Sequence, residues 1–325
     1  MNLQELKAKM RLPVIAAPLF IVSNPDLVIA QCKAGVVGSF PALNARPIEM
    51  LEQWMIRIRD ELDAWNQAHP ERPAAPFAVN QIVHKSNDRL EHDVAMCVKY
   101  KVPLVITSLG ARPELNDAIH SYGGLVMHDV IDQFFAHKAV EKGADGLILV
   151  ASGAGGHAGR QSPFALVSET RQWFKGPIAL SGSIATGAGV LAAQAMGADF
   201  AYIGSAFIAT HEANANDGYK QAIVEGSAKD IIYTNLFTGV HGNYLRRSIE
   251  QAGLDPEQLP ESDPSKMNFN SGGNMDKKAW KDIWGCGQGI GAVHAVRSAG
   301  DLVDQIADEY ASALAGLKQA SDQSH

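Results

Sequence analysis

The chain has 325 residues, 46% hydrophobic and 19% charged, the balance of a globular protein with a large core. A net charge of −7 and the lack of a basic stripe speak against binding a nucleic-acid backbone. Three cysteines, Cys32, Cys97 and Cys286, lie far apart with no C-x-x-C pair and no zinc-type histidine spacing, so reduced thiols, no metal site and a cytoplasmic setting are expected.

The opening "MNLQELKAKMRLP" lacks the apolar core of a signal peptide. No run of about 20 apolar residues follows it, so no membrane span is expected. From residue 13, short apolar runs alternate with longer stretches of helical period. "PVIAAPL" (13–19) precedes a helix over 25–35 that stops at Gly35, and "VVGSF" (36–40) precedes a helix over 46–69. In that helix Ile48, Leu51, Met55, Ile58 and Leu62 share one face. "PFAVNQI" (76–82), "PLVITSL" (103–109) and "GLVMHDV" (124–130) are followed by helices over 87–100, 112–121 and 131–141. "GLILVAS" (146–152) leads to a helix near 165–174, "PIALSGS" (177–183) to one over 187–197, and "FAYIGSAFIAT" (200–210) completes eight strand candidates.

Strands alternating with helices mean βαβ units and a parallel sheet. Uninterrupted apolar strands fit a sheet covered on both faces. Eight units in sequence, with no G-x-G-x-x-G at the first turn, favour an α/β fold of the (β/α)8 TIM-barrel type over a dinucleotide-binding sheet. After residue 210 the pattern breaks. Residues 213–228 read as helical, 229–284 have no clear period, and 287–317 read as a final helix. The expected organisation is a barrel from 1–212 and 285–325, with 213–284 an insertion packed on it as a lid or as a dimer surface.

In such barrels functional groups sit at the carboxyl ends of the strands. There the chain carries Asn80, then Ser108 and Gly110, then His128 and Asp129. The sixth strand runs into "VASGAGGHAGR" (150–160), the densest glycine cluster of the chain, with His157 inside it. Glycines cost backbone entropy on folding, so such a cluster points to something lying close against the backbone. An imidazole there serves as base or as donor to an anion. After strands seven and eight, "LSGSIATG" and "YIGSAF" place Gly182, Ser183, Gly204 and Ser205 where barrels cradle a phosphate. Ser152 and Ser181 lack a G-x-S-x-G setting, which argues against a hydrolase triad. His84, His92 and His241 read as ordinary structural histidines, and Arg160 as a rim charge.

"GAGGHAG" (153–159) resembles the signature loop of the nitronate monooxygenase family, also called 2-nitropropane dioxygenase-like. "PVIAAPL", "FAVN", "LSGSIATGAGVLAAQAMGADFAYIGSAFIAT" and "KAWKDIWGCGQGIGAV" match it in the same order. The resemblance implies a TIM barrel holding FMN without a covalent bond. Asn80 would contact the flavin, and Gly155 and Gly156 would lie against its ring system. Gly182, Ser183, Gly204 and Ser205 would hold the phosphate, with Tyr202 and Ile203 lining the cofactor. Gln288 would return from the C-terminal segment, and Ala17, Pro18 and His128 would complete the cofactor set. His157 would face the substrate as the catalytic residue. Where many relatives have a glycine-rich first loop this chain has Ala16, Ala17, Pro18 and Leu19, and where they have glutamine and glutamate it has Val150 and Gly153.

The activity so implied is oxidation of alkyl nitronates with O2 to carbonyl compounds and nitrite. An NAD(P)H-dependent reductase of quinones or enoyl thioesters, on the same scaffold, is the second reading. A non-catalytic flavin-binding protein is the third. The expected partners are a small substrate and O2, with neither nucleic acid nor membrane, and a homodimer is left open.

Overall fold

Strands buried on both faces can be satisfied only by partners on each side and a layer of helices outside them. In the computed structural model, which describes residues 2–263 and 282–322, the apolar runs meet that demand as a barrel. Its strands are β1 (Val14–Ala16), β2 (Gly38–Pro41), β3 (Phe77–Ile82), β4 (Leu104–Ser108), β5 (Leu125–Val130) and β6 (Gly146–Val150), then β8 (Ile178–Ser181) and β9 (Phe200–Ile203). All pair in parallel in the order β1-β9-β8-β6-β5-β4-β3-β2. Main-chain bonds from Ala16 N to Val37 O (2.8 Å) and Val37 N to Val14 O (3.1 Å) join β1 to the chain leading into β2 and close the ring. The expected TIM barrel is therefore the fold.

Alternate residues of each strand divide the core. Ile15, Ala78, Ile106, Met127, Ile148 and Phe200 face the axis and pack on one another. Val79, Val105 and Val126 belong to a second cluster beneath the outer helices. Those helices are α2 (Pro25–Ala34), α3 (Met50–Ala68), α4 (Leu90–Lys99), α5 (Pro113–His120), α6 (Gln133–Glu141), α7 (Pro163–Trp173) and α8 (Gly187–Met196). Asn24, Asp132 and Thr186 cap α2, α6 and α8 by accepting from Leu27, Phe135 and Gly189 N–H groups. Helix α3 begins at Met50 rather than 46, since Arg46 precedes a proline, which disfavours helical backbone.

The N-terminal stretch forms a helix that its sequence did not advertise. It is α1 (Leu3–Ala8), closed by an Asn2–Glu5 capping box, and it drives the fully buried Leu6 into the axial core from below. The eighth apolar run is strand only to Ile203. After Gly204 the chain turns into the short helix α9 (Ser205–Ile208).

Beyond residue 210 the expected helix is α10 (Asp217–Glu225), begun by the Asn216 cap. The stretch without a period contains β10 (Ile231–Thr234), β11 (Gly242–Leu245) and α11 (Arg246–Gln251). Strands β10 and β11 form a three-stranded antiparallel sheet with β7 (Gly156–His157), contributed by the loop after β6. Residues 264–281 of the expected insertion lie outside the described residues. The final helix spans Ala299–Asp322 rather than 287–317, and Gln288–Ala292 form a 3-10 turn. The reason is close packing: a methyl group on Gly287 would come 2.4 Å from Gly153 O, and one on Gly289 3.0 Å from Ser183 O. That stretch is shaped by the loops it touches, and the helix starts only beyond them. Among the described residues no helix is long and apolar enough to cross a membrane.

Candidate active site

The loop after β6 leaves the barrel and returns within a few residues. Ser152 N donates to Gln161 O (2.8 Å) and Gly159 N to Val150 O (3.1 Å), so residues 153–158 are held out as a finger over the mouth. Gly153 (φ 82°) and Gly156 (φ 65°) take the left-handed backbone that side chains resist. The finger is gripped by β11 in the register Gly242 to His157 and Asn243 to Gly156. Asn243 Nδ2 donates to Ala154 O (2.6 Å), and Tyr233 Oη donates to Ala158 O (2.9 Å).

His157 Nε2 lies 2.9 Å from Thr238 Oγ1. That hydroxyl gives its hydrogen to Val240 O (2.9 Å), so Nε2 carries a hydrogen of its own and the lone pair of the ring resides on Nδ1. Burial pushes the imidazole down to about 4, which makes it neutral at pH 7. A neutral ring with a free lone pair can take a proton. It does not supply the standing positive charge for an anion that an imidazolium would.

The C-terminal segment threads between the other loops. Gln288 N (2.9 Å) and Ser183 N (3.3 Å) both donate to Gly153 O, and Gly287 N donates to Ser205 Oγ (2.8 Å). These contacts join the turns after β6, β8 and β9 to residues 287–288. A methyl group on Gly153 would lie 2.1 Å from Ser183 Oγ, and one on Gly182 2.8 Å from Ser152 O. One on Gly204 would press on Leu19 and on Ala17 (3.2 and 3.4 Å). A methyl on Gly155 would meet the Cys286–Gly287 backbone within 2.9 Å, whereas on Gly156 nothing lies within 4 Å. Gly155 thus makes room for the chain's own C-terminal segment, and Gly156 is the glycine whose Cβ side is open.

Below the finger the axial core ends in a polar layer. Asn80 Nδ2 donates to Ile106 O (3.2 Å) and to Ser108 Oγ (2.8 Å), and Ser108 Oγ donates in turn to Asp129 Oδ2. Tyr202, almost fully buried, shares this level. Its phenol is pushed well up by burial and, secondarily, by the charge of Asp129.

The structure thus brings Ala17, Gly153, Gly182, Ser183, Gly204, Ser205 and Gln288 together around the mouth, with Asn80 and Tyr202 beneath. Pro18 adjoins Ala17 and is half-buried. His128 and Ile203 stand elsewhere. Ile203 packs in the helix-facing cluster. His128 shares the helix-facing side of β5 with Val126 and Val130 and meets Thr107 Oγ1 at 2.6 Å. Burial lowers it to about 4. Thr238 and Asn243 were not singled out in the sequence, nor was Asp129 chosen over His128. Strand parity would have chosen Asp129, since axial Met127 places residue 129, not 128, on the inner face.

A closed (β/α)8 barrel with a glycine-lined histidine finger over its mouth has the layout of a barrel enzyme with its site on the loop face. The family model for nitronate monooxygenase matches residues 3–309, and the chain belongs to this family of oxidoreductases. A probable nitronate monooxygenase of Bacillus subtilis is 27% identical over 335 residues, covering 91% of this chain and 95% of the relative. The nitronate monooxygenase of Paraburkholderia phytofirmans is 26% identical, covering 94% of each chain. Among solved structures, a nitroalkane oxidase from Streptomyces ansochromogenes superposes with a TM-score of 0.79 at 24% identity over 96% of this chain and 99% of its own. FabK from Thermotoga maritima does so with a TM-score of 0.75 at 22% identity over 98% of each chain. Both share the fold.

Proposed function

We propose that this chain is an FMN-dependent monooxygenase that oxidises alkyl nitronates with O2 to carbonyl compounds and nitrite. The observation that carries the reading is the convergence at one barrel mouth of bare backbone after β6, two small turns after β8 and β9, and His157. The residues present fit a flavin mononucleotide. Gly156 leaves open space on its Cβ side, while Gly182 and Gly204 let the turns after β8 and β9 pack closely on the loops after β6 and β1. Ser183 and Ser205 would hold the phosphate with those glycines. Asn80 and Tyr202 would sit under the ring system, with Gln288 at its rim. Bound FMN would supply the transfer of electrons from substrate to oxygen.

The protein's own part is proton handling and placement. With Nε2–H fixed on Thr238, His157 Nδ1 accepts the α-proton of a neutral nitroalkane and so generates the nitronate in place. Residues 213–263 act as the lid, since they supply Thr238 and the strand that grips β7. The three free, buried cysteines suit a cytoplasmic enzyme.

A neutral His157 above an acidic Asp129 also suits an uncharged substrate, which keeps a quinone or enoyl-thioester reductase as the second reading. The proposal requires yellow protein from which FMN is extracted, and aerobic release of nitrite from propyl-2-nitronate. Colourless protein that cannot be reconstituted with FMN would overturn it.

A further inference from the structure

Asp129 is the residue that the candidate mechanism leaves without a task. It is the last axial residue of β5, two residues beyond Met127, and its neighbour in register on β6 is Ile148. Three adjacent strands build its support as a directed chain. The Asn80 amide donates to Ser108 Oγ, and the Ser108 hydroxyl donates to Asp129 Oδ2. Asn80 is anchored from its other hydrogen by Ile106 O. Every donor in the chain points toward the carboxylate, the arrangement that favours its charged form.

Among the described residues, the groups around it offer no counter-charge. Strand β4 presents Ser108, β6 presents Ile148 and Val150, and the phenol of Tyr202 on β9 is the titratable group that feels its charge. Asp129 is half-buried on the axial side of β5, at the level of Asn80 and Tyr202 beneath the mouth in which the ligand would lie.

We propose that Asp129, held by the Asn80–Ser108 chain, is the fixed negative charge that makes a flavin bound in this mouth harder to reduce. The inference rests on the flavin reading above. Reduced FMN carries an additional negative charge at neutral pH, and an ionised carboxylate facing it in a poorly solvated mouth opposes that charge. Burial raises Asp129 to about 6, with the Ser108 bond pulling it back down, so the effect is switched within the ordinary pH range. Asp129 in this account is a positioning and tuning residue. It exchanges neither proton nor electron with substrate.

The test is the midpoint potential of the FMN-loaded full-length protein as a function of pH, for wild type, Asp129→Asn and Ser108→Ala. At pH 8, Asp129→Asn should raise the ratio of reduced to oxidised FMN at a fixed potential by roughly tenfold, which is about 30 mV for a two-electron couple. At pH 5, where the wild-type carboxyl is protonated, the two proteins should agree. Ser108→Ala removes the donor that favours the charged form, so its potential should rise toward that of Asp129→Asn at pH 6–7 and match wild type at pH 8.

Equal potentials for wild type and Asp129→Asn at pH 8, or a difference that persists unchanged at pH 5, would overturn the inference. If Asp129→Asn does not retain FMN, Ser108→Ala decides, and an unaltered pH profile in that variant is the contrary result. Failure of the wild type itself to hold FMN would instead sink the flavin reading, and the inference with it.

Discussion

The barrel and the small sheet above it are built by different rules. In the barrel, apolar residues alternate between an axial core and a helix-facing core, and each strand is fastened by burial on two sides. In the sheet of β7, β10 and β11 the strands are "GH", "IIYT" and "GNYL", short, and fastened by main-chain pairing, by Asn243, Tyr233 and Thr238, and by a small apolar cluster that includes Ile232, Phe237 and Tyr244. The histidine read as catalytic belongs to the second kind of structure. The frame fixes where the ligand lies, while the attached sheet fixes how the reactive group meets it.

The sharpest way to probe the attachment is His157→Asn. Turnover of neutral nitroalkane should fall by about 10²–10⁴-fold, the usual worth of a positioned base. Turnover of preformed nitronate should stay within a few-fold of wild type. Steady-state assays with both substrate forms check this, and an equal loss on both would show that His157 does not act as a base.

Acid should threaten both regions through their buried imidazoles. His128 in the barrel and His157 in the sheet are each lowered to about 4 in the folded chain from an ordinary 6.5. The unfolded chain therefore binds more protons between those values. Stability is full above pH 6.5 and is lost as pH falls toward 4. Asp129, raised to about 6, acts oppositely and offsets roughly one histidine, so the net loss is on the order of 3 kcal/mol. Denaturant melts at pH 7 and pH 4.5 check the sum, and an unchanged midpoint would refute it.

Where the finger meets the frame, Gly153→Ala should cost about 2 kcal/mol or more. It forces left-handed backbone on alanine and places a methyl group 2.1 Å from Ser183 Oγ. The same substitution should loosen the junction with Gln288 and weaken FMN retention, as measured by gel filtration and flavin fluorescence. A folded variant with wild-type retention would show that this junction does not shape the cofactor site. The smallest effect belongs to Thr238→Val. Without an acceptor for Nε2–H the ring loses its orientation, and neutral-substrate turnover should drop about tenfold, the worth of one hydrogen bond. No change would mean that the lid does not align His157.

How far the sequence could be read follows the same division. Apolar runs such as "LILV" and "FAYI" announce buried strands, and glycine with serine at strand ends announces the mouth, because burial and backbone access act through residue type and spacing. Helix α1 was not legible: six residues with one buried leucine have no period to show. Strands β10 and β11 were not, because β11 is completed by a glycine–histidine pair some 85 residues earlier, and no local pattern records such a pairing. The run from Gln288 looked helical, yet its glycines are required by contact with Gly153 and Ser183. His128 was placed in the cofactor set and Asp129 was not, although the parity of β5 turns Asp129 inward.

The most direct test of the central claim is anaerobic mixing of the FMN-loaded protein with propyl-2-nitronate, NADPH or NADH, each alone, followed by flavin absorbance. The proposed activity requires rapid bleaching by the nitronate, recovery of colour on admitting O2 with release of nitrite, and little response to either nucleotide. Bleaching by NADPH or NADH, with none by the nitronate, would contradict it and establish the reductase reading in its place.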